Sequence, residues 1–394
     1  MFSQIAVNSF LVLGCGAAAI AAGHALHSRL GILRRCLIPP PVVAGLILAA
    51  PTLLLRKYGI VFEVDGTLQQ LAMVALFTSV GFNLDREALR RGGRPVVILL
   101  AVFWLGAIVQ NGVGVTLARG LGLHPLIGIA GGSVAFAGGP ATSLAFGPTL
   151  ELAGAQGATS AALALAIAGI LIGGFTTGAF GAFLIHKDRS RPAGGSNETA
   201  PDSRTLAHEV AGDLPRTVLL FGVAMGLGYL LNLALNFWLR PLTITLPAYT
   251  GAMLAASLMR FGLRSAPAWN SLIGTVALTW FIPLALWTLR YWELAGLAAP
   301  LLIILFVQAL VTVALGWLAY RLVGRTFDSA FMAAGLYGFT IGTMANSFAG
   351  MEEMRQRFGP SLRAMLVISI VGGVLSDFLN IITIVGFRAW LAGQ

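Results

Sequence analysis

The sequence predicts an all-α, polytopic membrane protein of ten transmembrane helices, arranged as two inverted five-helix repeats that each carry a re-entrant hairpin. Three observations predict it. Hydrophobic residues make up 57% of the 394 residues and charged residues only 10%, against about 25% charged in a soluble globular chain. Apolar stretches long enough to cross hydrocarbon recur from end to end. Two further apolar stretches are rich in Gly, Ser, Thr and Asn, which suits irregular backbone inside protein rather than a plain span.

The ten predicted spans are 5–25, 38–55, 67–83, 95–118, 160–185, 215–238, 243–260, 267–289, 295–322 and 362–390. The N-terminal MFSQIAVNS lacks a basic segment, so 5–25 reads as a retained helix and not as a cleaved signal. The formal charge is +10. In a chain this apolar it points to topology and not to nucleic acid. With the N-terminus outside and the spans alternating, 19 of the 25 basic residues fall inside. The six outside are Arg56, Lys57, Arg119, Arg240, Arg290 and Arg388. The positive-inside rule therefore places both termini outside, provided that 124–150 and 328–350 each enter and leave on one side. Cys15 and Cys36 suggest neither a disulfide framework nor a metal cluster. Glu293, in RYWELAG, reads as interfacial.

The one long hydrophilic run, 186–214, reads as a flexible cytoplasmic linker between halves 1–185 and 215–394. The halves resemble each other at an offset of about 200 residues. PVVAG at 41–45 answers PAYTG at 247–251, VQN at 109–111 answers VQA at 307–309, and AGGSVAFAGG at 130–139 answers AAGLYGFTIG at 333–342. Five spans per half is an odd number, so the halves lie inverted. Inverted repeats whose broken elements meet at mid-membrane are the architecture of secondary transporters.

AGGPATS, 137–143, reads as the tip of the first hairpin. Gly138 and Gly139 turn the chain, Pro140 fits the first turn of a following half-helix, and Ala141, Thr142 and Ser143 complete that turn. Its unpaired N–H groups and partial positive charge suit a carboxylate. The second tip is TIGTMANS, 340–347, with Gly342, Thr343, Asn346 and Ser347 as its polar part. The alternative is that these small residues only permit close helix packing.

Asp377 lies within the apolar VGGVLSDFLNII, and Asn380 lies three residues on, on the same helix face. A mid-span carboxylate costs about 2.5–3.5 kcal/mol to insert, so Asp377 reads as functional. With Asn380 it is a candidate sodium site; it could instead pair with an ammonium, carry a proton, or serve a structural role. Asn83, Gln110 and Asn111, with Gln308 in the second half, are uncharged candidates for lining an ion or substrate path, or for joining helices. No nucleophile–base arrangement or His-x₃-His pair is present, which speaks against an enzyme, and no organic cofactor is implied. A proton-coupled carrier, a channel and a scaffold without transport are the other readings.

These residues resemble the bacterial sodium/glutamate symporters. The likeness rests on IPPPVVAGL at 38–46, SVGFNLDREALRRGG at 79–93, QNGVG at 110–114 and GGS at 131–133. It continues through YWELAGLAAP at 291–300, FDSAFMAAG at 327–335, RFGPS at 357–361 and the Asp377–Asn380 pair. The resemblance implies sodium-driven uptake across the bacterial inner membrane, sodium as coupling ion, a homodimer, and a moving transport domain that carries the tips past a fixed scaffold. The chain departs from the family at both tips. The family's first tip usually reads GGHGT, where this chain has GGPAT at 138–142, and the family's second tip is richer in Gly and Pro than TIGTMANS. The substrate thus stays open between glutamate and another small carboxylate.

Overall fold

The computed structural model describes residues 3–31, 40–83, 86–188, 214–239, 246–263, 266–289, 297–372 and 374–393. Most of the linker (189–213) and Glu293 lie outside the described residues.

The first described element is a strand. Residues Ser3–Val7 (β1) pair in parallel with Ile60–Val64 (β2), in the register Ser3 with Ile60 to Val7 with Val64. Residues 5–7 are therefore extended and not the start of the first helix, which corrects the all-α expectation at this point. Short β-rich runs, SQIAV and IVFEV, satisfy each other's backbone groups instead. Helix α1, Ser9–Arg29, starts where Asn8 accepts a bond from Leu11 N at 3.0 Å.

Asp65 ties this small sheet to two helix starts. It accepts from the Ser9 hydroxyl, and from Thr67 N at 2.8 Å and Thr67 Oγ1 at 2.6 Å. These bonds, that from Ser9 foremost, hold its carboxyl down at about 2. A depressed folded value gives stability that is present above the unfolded value near 3.9 and lost as pH falls through the folded one. Asp65→Asn is expected to lower the melting temperature at pH 6, and the gap to the wild type should close as pH falls from about 4 towards 2. A melting series across that range checks it.

Helices α2 (Pro40–Arg56) and α3 (Thr67–Phe82) follow. The long α4, Arg86–Gly120, is broken in φ/ψ at Gly93 just before Pro95, so its apolar span is Gly93–Gly120. The first hairpin is α5 (Pro125–Ile129), a π-turn at Ala130–Val134 and α6 (Gly139–Leu152). Then come α7 (Ala158–Asp188), α8 (Leu214–Leu239), α9 (Ala248–Gly262), α10 (Asn270–Trp287) and α11 (Ala298–Val323). The second hairpin is α12 (Phe327–Ile341) and α13 (Met344–Phe358), which reaches beyond the predicted end at 350. Its first arm begins in a capping box between Thr326 and Ser329.

Each of the ten predicted spans holds a helix. Among the described residues, seven helices are long and apolar enough to cross a membrane, with Arg363–Ala392 counted as one. The second, third and seventh predicted spans yield only the 17, 16 and 15 residues of α2, α3 and α9. The tenth is not continuous: α14 (Leu362–Val371) ends at Gly372, and α15 (Val374–Ala392) restarts with Asp377 in its first turn.

Two helix groups result. In one, α1 packs on α2 and α8 on α9, while α2 meets α10 and α3 meets both α9 and α10. In the other, α7 runs between the arms of both hairpins, α4 crosses α11, and α14 and α15 lie on α4. The groups meet where α6 lies on α10. There Leu144 shares an apolar cluster with Ala72, Phe281 and Ala285, and Phe146 shares one with Phe77 and Tyr249.

Candidate functional site

The two hairpin tips meet. Gly139 opens α6 with φ at +66°, a conformation that side-chain-bearing residues rarely adopt. A Cβ there would lie 3.3 Å from the Gly342 carbonyl oxygen and 3.6 Å from the Thr343 methyl carbon. Pro140 occupies the first turn of α6, where its missing N–H removes no helix bond. Gly342 caps α12 and Thr343 stands extended before α13. The starts of α6 and α13 therefore converge at Gly139 and Thr343, which brings the positive ends of two helix dipoles together.

The tips' side chains also brace the hairpins. Ser143 is fully buried, with Oγ 2.9 Å from the Gly139 oxygen and 3.4 Å from that of Val134. Thr142 is buried, and Ala141 is partly so and packs towards α3. Asn346 Nδ2 donates to Ile170 O on α7 at 2.7 Å, and its Oδ1 accepts from Thr343 Oγ1 at 3.2 Å. Ser347 Oγ donates to Gly335 O at 2.5 Å. Asn346 and Ser347 thus fasten the second tip to α7 and α12. The Thr343 hydroxyl is engaged with Asn346 within the second tip, and Thr142 is buried in the first turn of α6.

Beside the first tip, the π-turn presents Ser133 to two asparagines. Ser133 N donates to Asn111 Oδ1 at 2.8 Å, and Ser133 O accepts from Asn380 Nδ2 at 3.2 Å. Gln110 and Gln308 join this cluster at the α4–α11 crossing. Gln308 Nε2 donates to Gln110 O at 2.7 Å, and Gln110 Nε2 to Thr340 O at 3.2 Å. All five residues are buried. Ser133 Oγ, Asn380 Oδ1, Gln110 Oε1 and Gln308 Oε1 have no hydrogen-bond partner, nor does Asn111 Nδ2. Buried polar atoms are rarely left so. These four neutral oxygens, at the π-turn and at the α4–α11 crossing, are of the kind that a hard cation takes as ligands. Removing Asn111 would strand Ser133 N, so Asn111→Ala is expected to cost about 1–3 kcal/mol, read as a fall in chemical-denaturation midpoint.

The structure gathers Gln110, Asn111 and Asn380 from the predicted ion residues. Asp377 stands one turn before Asn380 in α15. Asn83 belongs elsewhere: it accepts from Asn270 Nδ2 at 2.8 Å, in a clasp where Ser79 Oγ donates to Asn270 O. That clasp joins α3 to α10, and its geometry does not bring Asn83 to Ser133.

Two residues join the site that sequence reasoning did not single out. Ser133 stood in the quoted GGS, but nothing there marked a π-turn. Tyr249 stood in the repeat motif PAYTG. It is fully buried, stacks on Phe77 at 3.9 Å between centroids, and its hydroxyl has no partner.

A family model described as sodium/glutamate symporter matches residues 5–360. A sodium/glutamate symporter of Haemophilus influenzae is 30% identical over 388 residues, 95% of either chain. One from Escherichia coli K12 is 33% identical over 378 residues, 92% of either chain, and one from Shigella flexneri matches equally. With its apolar helices this is a multi-pass membrane protein, and the chain belongs to the sodium/glutamate symporter family.

Proposed function

We propose that this chain is a secondary active transporter that couples inward sodium movement to uptake of glutamate or a related small carboxylate. It would sit in the bacterial inner membrane with both termini outside, as a homodimer. The observation that carries the reading is the convergence of both tips beside a buried set of unpartnered oxygens. The substrate carboxylate would meet the first-turn amides of α6 and α13 and the Thr142 and Thr343 side chains. Sodium would be held by Ser133, Asn380 and neighbouring oxygens, with Asp377 supplying the charge.

Coupling follows from placement. The π-turn that carries Ser133 runs directly into the Gly138–Gly139 tip. An ion that fixes Ser133 therefore fixes the amides that bind substrate, and each ligand raises the other's affinity equally. A bare Asp377 is costly to carry through the membrane, and a bound cation lowers that cost. The group that holds both hairpins would move against the group of α1–α3 and α8–α10, an elevator-like cycle. The matching packing of α1 on α2 and α8 on α9, and of α2 on α10 and α9 on α3, supports an inverted repeat beneath it.

Uptake of labelled L-glutamate and of other small carboxylates into proteoliposomes tests this. An inward sodium gradient should drive accumulation, and the same gradient of potassium should not. Accumulation driven by protons without sodium would overturn the proposal.

A further inference from the structure

Two consecutive side chains of α4 reach the two hairpins separately. Successive helical residues point about 100° apart, so neighbours in sequence serve different partners. Asn111 takes the first hairpin: its Oδ1 accepts from Ser133 N at 2.8 Å, within the π-turn that leads to Gly139. Gln110 takes the second: its Nε2 donates to Thr340 O at 3.2 Å, two residues before Gly342. Thr340 lies in the last turn of α12, where carbonyls run out of helical partners. Its own hydroxyl turns back to Leu336 O at 2.8 Å.

The surroundings fix both side chains. Gln110 and Asn111 are buried. A Cβ at Gly132 would lie 2.5 Å from Asn111 Oδ1 and 3.0 Å from Gln110 O, so the π-turn rests directly on these two residues. From α11, Gln308 Nε2 donates to Gln110 O at 2.7 Å. Turning the Gln110 amide over would set its oxygen against the Thr340 oxygen, which keeps the donor on that side. In the second half Ala309 stands where the repeat would place a counterpart of Asn111, so α11 carries no such pair. The tips touch at Gly139 and Gly342, yet among the described residues no hydrogen bond joins 137–143 to 340–347.

We infer that Gln110 and Asn111 form a yoke by which α4 sets the position of both tips, with Gln110 the positioning residue for the second. An ion that fixes Ser133 holds Asn111, and its chain neighbour Gln110 then holds Thr340 and the turn into Gly342. The second tip is ordered through α4 and not through contact with the ion. This transmission rests on the proposed sodium site; the hold of Gln110 on the second tip does not.

Hydrogen–deuterium exchange of the purified full chain, without substrate and in sodium or potassium, tests the yoke, because exchange reports local opening segment by segment. In the wild type, sodium should slow exchange at both 130–139 and 340–347. Gln110→Met keeps the side-chain length and loses the donor. In that variant 340–347 should exchange about fivefold faster, the worth of one net hydrogen bond, and sodium should slow 130–139 alone. Ser79→Ala is the comparator, since it removes another buried hydrogen bond, to Asn270 O in the α3–α10 clasp. Its melting temperature should fall while sodium still slows both segments. If Gln110→Met fails to fold, Gln110→Asn, one methylene too short for Thr340, takes its place with the same expectation. Exchange at 340–347 that matches the wild type would overturn the inference. So would sodium slowing of 340–347 in the variant as large as in the wild type, which marks direct transfer between the tips. Slowing of neither segment in the wild type would count against the sodium site, and the yoke then stands or falls on the sodium-free acceleration at 340–347.

Discussion

Asp377→Asn is expected to abolish sodium-dependent uptake while the protein folds and inserts normally. The carboxylate stands in the first turn of α15, a place that favours an anion. One turn on stands Asn380, which is bonded to Ser133. Asparagine keeps the shape and an oxygen ligand but removes the charge, so the cation loses its counter-charge and not its cage. Charge-assisted contacts are worth roughly twice neutral ones. Sodium affinity should therefore fall by at least tenfold, about 1.4 kcal/mol, and driven uptake should vanish at ordinary sodium concentrations. Removal of a charge within the apolar span also relieves an insertion cost, so the melting temperature should hold or rise. Uptake with unchanged sodium dependence in this variant would remove Asp377 from the ion site.

Gly169→Ala is expected to damage both the fold and the second tip. Gly169 lies on α7, and a Cβ there would strike the carbonyl oxygen of Ile341 and press on the Phe136 ring at 3.2 Å. Ile341 ends α12, one residue before the Gly342 tip, and it is backbone that must shift. Overpacking of this kind costs about 1–3 kcal/mol. The shift would also carry the second tip away from Gly139, so substrate affinity should fall with stability. Gly222→Ala on α8 is the control: its Cβ meets nothing within 4 Å. That change should be neutral or stabilise by up to about 1 kcal/mol. Melting curves and substrate titrations on both variants separate the two cases. Equal behaviour would mean that the α7–α12 contact does not position the tip.

What the sequence made legible, and what it did not, divides along a physical line. Apolar runs, caps and glycine–proline punctuation are local, and they marked the helices and both tips. The two parallel strands pair residues 57 positions apart and were invisible to local pattern. The break in the last span was written in the GG of VGGV, yet glycines are common inside membrane helices and the apolar run did not pause. Asn83 and Asn111 looked alike as uncharged polar residues in or beside apolar stretches. Only packing sends Asn83 to the α3–α10 clasp and Asn111 to the π-turn. The π-turn itself follows from α4 pressing close beneath Gly132, whose backbone is forced from helical values to φ −105° and ψ −129°. Gln110 and Gln308, which the offset of about 200 residues matched in sequence, do meet at the α4–α11 crossing.

The central claim is that sodium held near Ser133 and substrate held at the tips complete each other's sites. The most direct measurement is calorimetric titration of L-glutamate into the purified wild type and Asn380→Ala at a series of sodium concentrations. In the wild type, affinity should rise steeply with sodium and should not rise with potassium. In Asn380→Ala, affinity should be weak and the sodium dependence much reduced. Glutamate affinity that does not change with sodium in the wild type would contradict the account.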